Sequence, residues 1–191
     1  TDSTEGLTVK TNEDGSLVIT AAGFSKTEGE AYGYGAVTNN NGGSIAKVVI
    51  GKGSRFTNNA ASGSAGALVI FQNGKDGTGS TDNTITGTVF TGNTSNSKGG
   101  AVATLQESQW EGDETYGTTT VTGSTFESNS AKSGGALYGE RTGYTVNDSR
   151  FDGNKASENG GAVYVEYTDM AVNNSTFSTN DAGVSGGAIY A

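Results

Sequence analysis

The sequence predicts an all-β fold, a parallel β-helix of about six coils with little or no α-helix, on three observations. The first is a paired motif that recurs along the chain. Phe90-x-x-Asn93 precedes Gly99-Gly100-Ala101-Val102, and Phe126-x-x-Asn129 precedes Gly134-Gly135-Ala136-Leu137. Phe151-x-x-Asn154 and Phe177-x-x-Asn180 precede Gly160-Gly161-Ala162-Val163 and Gly186-Gly187-Ala188-Ile189 in the same way. Weaker copies join Phe56 and Asn59 to Gly66-Ala67-Leu68, and Phe24 to Gly35-Ala36-Val37. The second observation is composition: 32 glycines and only 32% hydrophobic residues are lean for a layered globule, but sufficient for the thin core that stacked coils share. The third is the absence of Pro, which would remove donors from stacked ladders.

Each copy divides into about three short strands. Five residues before Phe stand Ile19, Ile85, Val121, Val146 and Val172, marking one strand. The Phe lies on a second, and a β-prone run such as Ala162-Val163-Tyr164-Val165 marks a third. Between the first two come Ala21, Gly53, Gly87, Gly123, Asp148 and Asn174, small or turn-forming residues. No segment sustains a 3.6-residue period. Coils of this kind stack like on like, at a spacing of ~4.8 Å. Phe24, Phe56, Phe90, Phe126, Phe151 and Phe177 then form one internal column, each contributing about 2 kcal/mol when buried. Val37, Leu68, Val102, Leu137, Val163 and Ile189 form another. Asn59, Asn93, Asn129, Asn154 and Asn180 form a corner ladder of side-chain amides. By strand alternation Tyr138, Tyr164 and Tyr190 face away from the aliphatic column, as an exposed stripe.

Residues 1–191 read as a single β-helix segment, with 1–16 a partial first coil or cap. Leu7-Thr8-Val9 reads as a short strand and Asn12-Glu13-Asp14-Gly15 as a turn. Thr1 opens without a signal peptide and Tyr190-Ala191 falls in mid-repeat, which reads as a piece of a longer protein. Open strand edges at the ends invite self-association. Coil length changes in one region. The Ala-to-Phe interval is 15 residues in the last two coils, 23 from Ala67 to Phe90 and 25 from Ala101 to Phe126. The surplus forms two insertions, 71–83 and 104–117, expected to leave the helix at one corner in successive coils. Insertions on one side of a solenoid commonly mark its binding side.

The net charge of −9 argues against nucleic acid or an anionic membrane as partner. There is no Cys for disulfides or thiolate metal sites, and no apolar run approaches the ~18 residues of a membrane span.

The paired motifs, Phe-x-x-Asn and Gly-Gly-Ala-(Val/Leu/Ile), resemble the repeats of the chlamydial polymorphic outer membrane proteins and related microbial surface adhesins, over about residues 17–191. The resemblance implies a right-handed β-helical autotransporter passenger, displayed on the microbial cell surface and used to attach to host or neighbouring cells. The partner it implies is a protein or glycan receptor. No autotransporter β-barrel and no Cys-rich region accompany these repeats. The repeat residues are structural, so no catalytic set carries over.

The candidate binding residues are Trp110, Tyr116 and Glu107 of the second insertion, Asp76 of the first, and Tyr138, Tyr164 and Tyr190. Trp110, the single Trp, stands in an acidic stretch and reads either as a cover for the coil flank or as an aromatic anchor. No catalytic residue, metal ligand set or cofactor is expected. A polysaccharide-degrading enzyme is the rival reading. A lyase wants a strong base and a Ca²⁺-holding carboxylate cluster, yet only Arg55, Arg141 and Arg150 supply guanidinium and there is no His. A hydrolase wants facing carboxylates, for which Glu127, Asp148 and Asp152 are nearest. Asp76–Asp82 and the turn at 12–15 could hold calcium, but neither follows an EF-hand or nonapeptide pattern. An ice-binding face would need a long Thr-x-Thr ladder, whereas Thr84/Thr86 and Thr120/Thr122 give way to Thr145/Asn147. A structural stalk without binding of its own is the alternative to an adhesin.

Overall fold

A computed structural model of the chain describes residues 7–11, 13, 17–21, 37–38, 47–71, 82–105 and 117–191. Among these residues every regular element is a β-strand, and the strands stack into four sheets that wind as a parallel β-helix. The first sheet has seven strands, including Val48–Ile50, Asn83–Thr86, Thr118–Thr122, Gly143–Asn147 and Met170–Asn173. The second carries the phenylalanines on Arg55–Thr57, Val89–Thr91, Thr125–Glu127, Arg150–Asp152 and Thr176–Ser178. The third consists of two-residue strands such as Thr94–Ser95 and Ser130–Ala131, and the fourth includes Leu68–Phe71, Val102–Leu105, Leu137–Glu140 and Val163–Glu166. The expectation of three strands per coil is therefore corrected to four. The additional strand, immediately after the Asn, is too short to show any alternation in sequence.

The registers place like on like. Phe126 pairs with Phe90 on one side and Phe151 on the other, and Val102 with Leu68 and Leu137. Phe56, Phe90, Phe126, Phe151 and Phe177 form one stack with centroids 4.9, 4.8, 4.6 and 4.6 Å apart, the first four fully buried. Phe24 lies outside the described residues. The aliphatic column of Val37, Leu68, Val102, Leu137, Val163 and Ile189 packs against this stack. At the N-terminal side, Leu7–Thr11 pairs antiparallel with Leu17–Ala21, the one antiparallel pairing among the described strands. The segment at 1–16 thus contributes a reversed edge strand to the first sheet.

Three corners per coil have local causes. At the corner before the Phe strand, Gly53, Gly87, Gly123, Asp148 and Asn174 all take positive φ. At the corner after it, Asn58, Gly92, Ser128, Gly153 and Thr179 do so too. Each left-handed residue is followed by a hydroxyl or an asparagine, and from Ser124 and Asn93 onward that side chain accepts a backbone N–H of the preceding coil which the corner would otherwise leave unpaired. After the second corner stands the asparagine. Asn129 donates from Nδ2 to Phe90 O (3.1 Å) and to Asn154 Oδ1 (3.0 Å), while its own Oδ1 accepts from Asn93 N and Nδ2 (both 2.9 Å). The same bonds run from Asn59 to Asn180. After the first corner stands a hydroxyl ladder that sequence reading missed: Ser54, Thr88, Ser124, Ser149 and Ser175. Ser149 Oγ accepts from Ser124 N at 3.1 Å and donates to Asn147 O at 2.7 Å. The third corner is the glycine pair. Gly134 has φ +64, and a Cβ at Gly135 would lie 2.1 Å from Gly161 O, so the first glycine makes the bend and the second lets adjacent coils touch.

Two adjacent substitutions are expected to act in opposite directions. Asn129→Ala removes four ladder bonds from a dry interior and is expected to cost on the order of 3 kcal/mol. Ser128→Gly relieves a left-handed corner and is expected to gain roughly 0.5–1 kcal/mol. Urea denaturation midpoints check both, with exposed Glu127→Ala as the neutral reference; an Asn129→Ala midpoint equal to that reference would remove the ladder from the account of stability.

Candidate functional site

The fourth sheet presents its outer side through Val69, Phe71, Ala103, Leu105, Tyr138, Glu140, Tyr164, Glu166 and Tyr190. Val69, Phe71, Ala103, Leu105 and Tyr138 belong to a second apolar cluster, outside the main core, with Tyr164 packed against it. The three tyrosines are register neighbours, stacked with centroids 5.1 Å apart at each step. They do not form a uniformly exposed stripe: Tyr138 is 2% exposed and Tyr190 40%. The correction has a physical reason. Alternation fixes which side of the sheet a residue faces, but the residues at the same outer position in earlier coils, Val69 and Ala103, are apolar, so Tyr138 joins an outer layer.

Charged groups fasten this face. Tyr138 and Tyr164 both donate their hydroxyls to Glu166, Tyr164 at 3.1 Å to Oε2. Lys98 Nζ lies 4.7 Å from the Tyr138 ring centroid and 2.5 Å from Glu140 Oε2. Burial, and then the bond to Glu166, pushes the Tyr138 phenol far above its ordinary range. Tyr164 is pushed up to about 12, by burial first and the Glu166 charge second. Glu140, Glu166 and Lys98 were absent from the sequence-derived candidates. The signal available was the pair Leu137-Tyr138-Gly139-Glu140 and Val163-Tyr164-Val165-Glu166, each placing an acid two residues after the tyrosine.

Residues 72–81 and 106–116 of the two insertions lie outside the described residues, but the residues that flank them are in register. Phe71 pairs with Leu105 where they depart and Asn83 pairs with Thr119 where they return, and Thr118 N donates to Asp82 Oδ1 at 3.2 Å. Trp110, Tyr116, Glu107 and Asp76 lie outside the described residues. Behind this corner the interior is polar. Tyr144, fully enclosed, donates to Tyr138 O at 3.2 Å and shares a hydrogen bond with Thr104 Oγ1 at 2.8 Å, while Asn83 Oδ1 accepts from Val48 N at 2.9 Å. Burial raises the Tyr144 phenol well above its usual value.

Glu127 and Asp152 are register neighbours on the second sheet. Asp152 accepts from Thr179 Oγ1 at 2.6 Å, Ser178 Oγ at 2.7 Å and the Arg150 guanidinium. These donors hold its carboxyl below the ordinary range, Thr179 first among them. An acid catalyst needs the opposite shift. Among the described residues no three acids, His or Cys converge as a metal site. The calcium candidates at 76–82 and 12–15 fall almost wholly outside the described residues. On the first sheet Thr84, Thr120 and Thr145 are in register and the row ends at Ala171, while Thr86 and Thr122 pass into Asn147 and Asn173, as the spacing implied.

A solenoid of short parallel strands with repeated inward Phe and Asn columns is a repeat-built scaffold. The model of the Chlamydia polymorphic membrane protein repeat matches residues 87–105, 123–140, 148–166 and 174–191. The chain is a tandem array that carries repeats of this family. No curated protein and no solved structure gives a match.

The outer tyrosine face carries an alkaline signature. Folding favours the neutral phenol of Tyr164, so this contribution to stability is complete below the unfolded tyrosine value of ~10 and is lost as pH rises through about 12. Ultraviolet absorbance titration is expected to separate a late-ionising group of tyrosines from the rest, and Glu166→Gln to bring Tyr164 back toward its ordinary value. A single transition near ~10 for all eight tyrosines, in folded protein, would remove Glu166 from the explanation.

Proposed function

We propose that this chain is a non-enzymatic segment of a microbial cell-surface adhesin, lying outside the cell and attaching it to host or neighbouring cells. The observation that carries the reading is the pairing of Phe71 with Leu105, after which two successive coils of a stiff repeat scaffold are both longer in sequence than the later ones. The four polymorphic membrane protein repeats support a surface location, in an outer membrane or surface protein. The mechanism is display. The ladders make the coils a rigid body, and rigidity lowers the entropy lost when adjacent loops engage a receptor together. The partner is a receptor, protein or glycan, on the opposing cell.

The test is binding of the segment to host-type cells, beside a variant in which residues 72–82 and 106–116 are shortened to match the later coils. Saturable binding by the parent chain that falls to background in the trimmed variant, with a β-rich far-ultraviolet spectrum retained, is the expected result. Binding unaffected by trimming would move the contact to the tyrosine face. No binding by either chain would leave the alternative, a structural stalk.

A further inference from the structure

We propose that Tyr144 is a positioning residue for the second insertion: from the following coil, its hydroxyl closes the base of that insertion by tying the strand that enters it to the strand that leaves it. The inference rests on the attachment role proposed above and names a residue that holds one of its two insertions in place.

Thr104 and Thr119 mark the two ends of intact pairing around residues 106–117. Thr104 is the last residue of Val102–Leu105 paired on both sides, with Ile70 and Gly139, whereas Leu105 pairs with Phe71 alone. Thr119 is the first residue of Thr118–Thr122 paired on both sides, with Asn83 and Tyr144. Their hydroxyls lie 3.5 Å apart in the interior, and the Tyr144 hydroxyl lies 2.8 Å from Thr104 Oγ1. Tyr144 gives its one proton to Tyr138 O at 3.2 Å, so the donors run in one direction: Thr119 to Thr104, Thr104 to Tyr144, and Tyr144 to a backbone carbonyl. Gly139 makes room for this. A Cβ there would lie 2.8 Å from Tyr144 Cε2, so the ring occupies space that Ile70, Thr104 and Val165 fill with side chains in other coils.

Packing alone does not call for hydroxyls here. Ile70 and Val165 fill the row of Thr104, and Met170 follows Tyr144 in its own row. A buried hydroxyl is costly unless it is bonded, and these three are both buried and bonded. What distinguishes this coil is its connection. In the next coil Arg141-Thr142 joins the fourth sheet to the first and by its shortness keeps the two strand ends together. Residues 106–117 form a longer link, which leaves more closure entropy to be offset by contacts at its base. The hydroxyl chain supplies those contacts from inside the helix, where it does not compete with a receptor.

The test is amide hydrogen exchange, read by mass spectrometry, on the whole chain and on Tyr144→Phe, Thr104→Val and Thr104→Ser, with cell attachment measured beside it. Tyr144→Phe keeps the ring and Thr104→Val keeps the side-chain shape, so both are expected to fold with the parent's far-ultraviolet spectrum. Both are expected to speed exchange in 102–105 and 118–122 by about tenfold, the factor that one net hydrogen bond controls, while 125–127 and 150–152 exchange as in the parent. Thr104→Ser, which keeps the hydroxyl, is expected to behave as the parent. Attachment is expected to weaken in Tyr144→Phe and Thr104→Val and to survive in Thr104→Ser. Unchanged exchange in Tyr144→Phe, or an equal rise in every strand, would overturn the clamp. Full attachment by Tyr144→Phe, where trimming the insertions abolishes it, would overturn the positioning role and leave the attachment role intact. No attachment by the parent chain, with the local rise in exchange present, would sustain the clamp and count against the attachment role.

Discussion

The structure depends on one buried interaction, the amide ladder in which each asparagine holds the backbone of its neighbouring coil. A parallel β-helix buries three sharp corners per turn, and each corner aims polar backbone groups inward, where water cannot reach them. Asn93, Asn129 and Asn154 answer this with two acceptor bonds and two donor bonds each. The amide is the one side chain that both donates and accepts in this way, which is why an apolar residue of similar size could not stand in for it. The phenylalanine stack is then free to be wholly apolar, since the buried polar groups find their partners at the neighbouring corner. The serine ladder at the preceding corner does the same with a smaller group.

Register follows from the ladders. Slipping one coil by a residue would break the amide chain, bring Phe opposite its flanking residues and place a side chain where Gly135 must lie against Gly161 O. Three kinds of column therefore specify the same alignment. Outside the columns the constraint relaxes, and there the coils differ most: the insertions at 71–83 and 104–117, the change from Thr86 and Thr122 to Asn147 and Asn173, and the unlike pair Arg141 and Tyr167.

Much of this was legible in the sequence, because a repeated position must satisfy the same physics in every coil. The Phe, Asn and aliphatic columns were readable for that reason. The serine ladder was equally readable, since positions 54, 88, 124, 149 and 175 all carry a hydroxyl. It was passed over because Ser in a Gly- and Thr-rich chain draws no notice. The third sheet was harder: two residues such as Thr94 and Ser95 have no period. The burial of Tyr138 was not legible at all, because it depends on the outer residues of other coils, Val69 and Ala103 among them.

The hydrogen bonds of all four sheets, and both ladders, run along the rod rather than across it. Tension applied end to end cannot peel such a body one strand at a time. Pulling adjacent coils away from each other must break the bonds of four sheets, the amide link and the ring stack together, a load shared in parallel. A segment built this way is a tether whose extension under force stays small until a whole coil gives way, so that a pull received at one end arrives at the other almost undiminished.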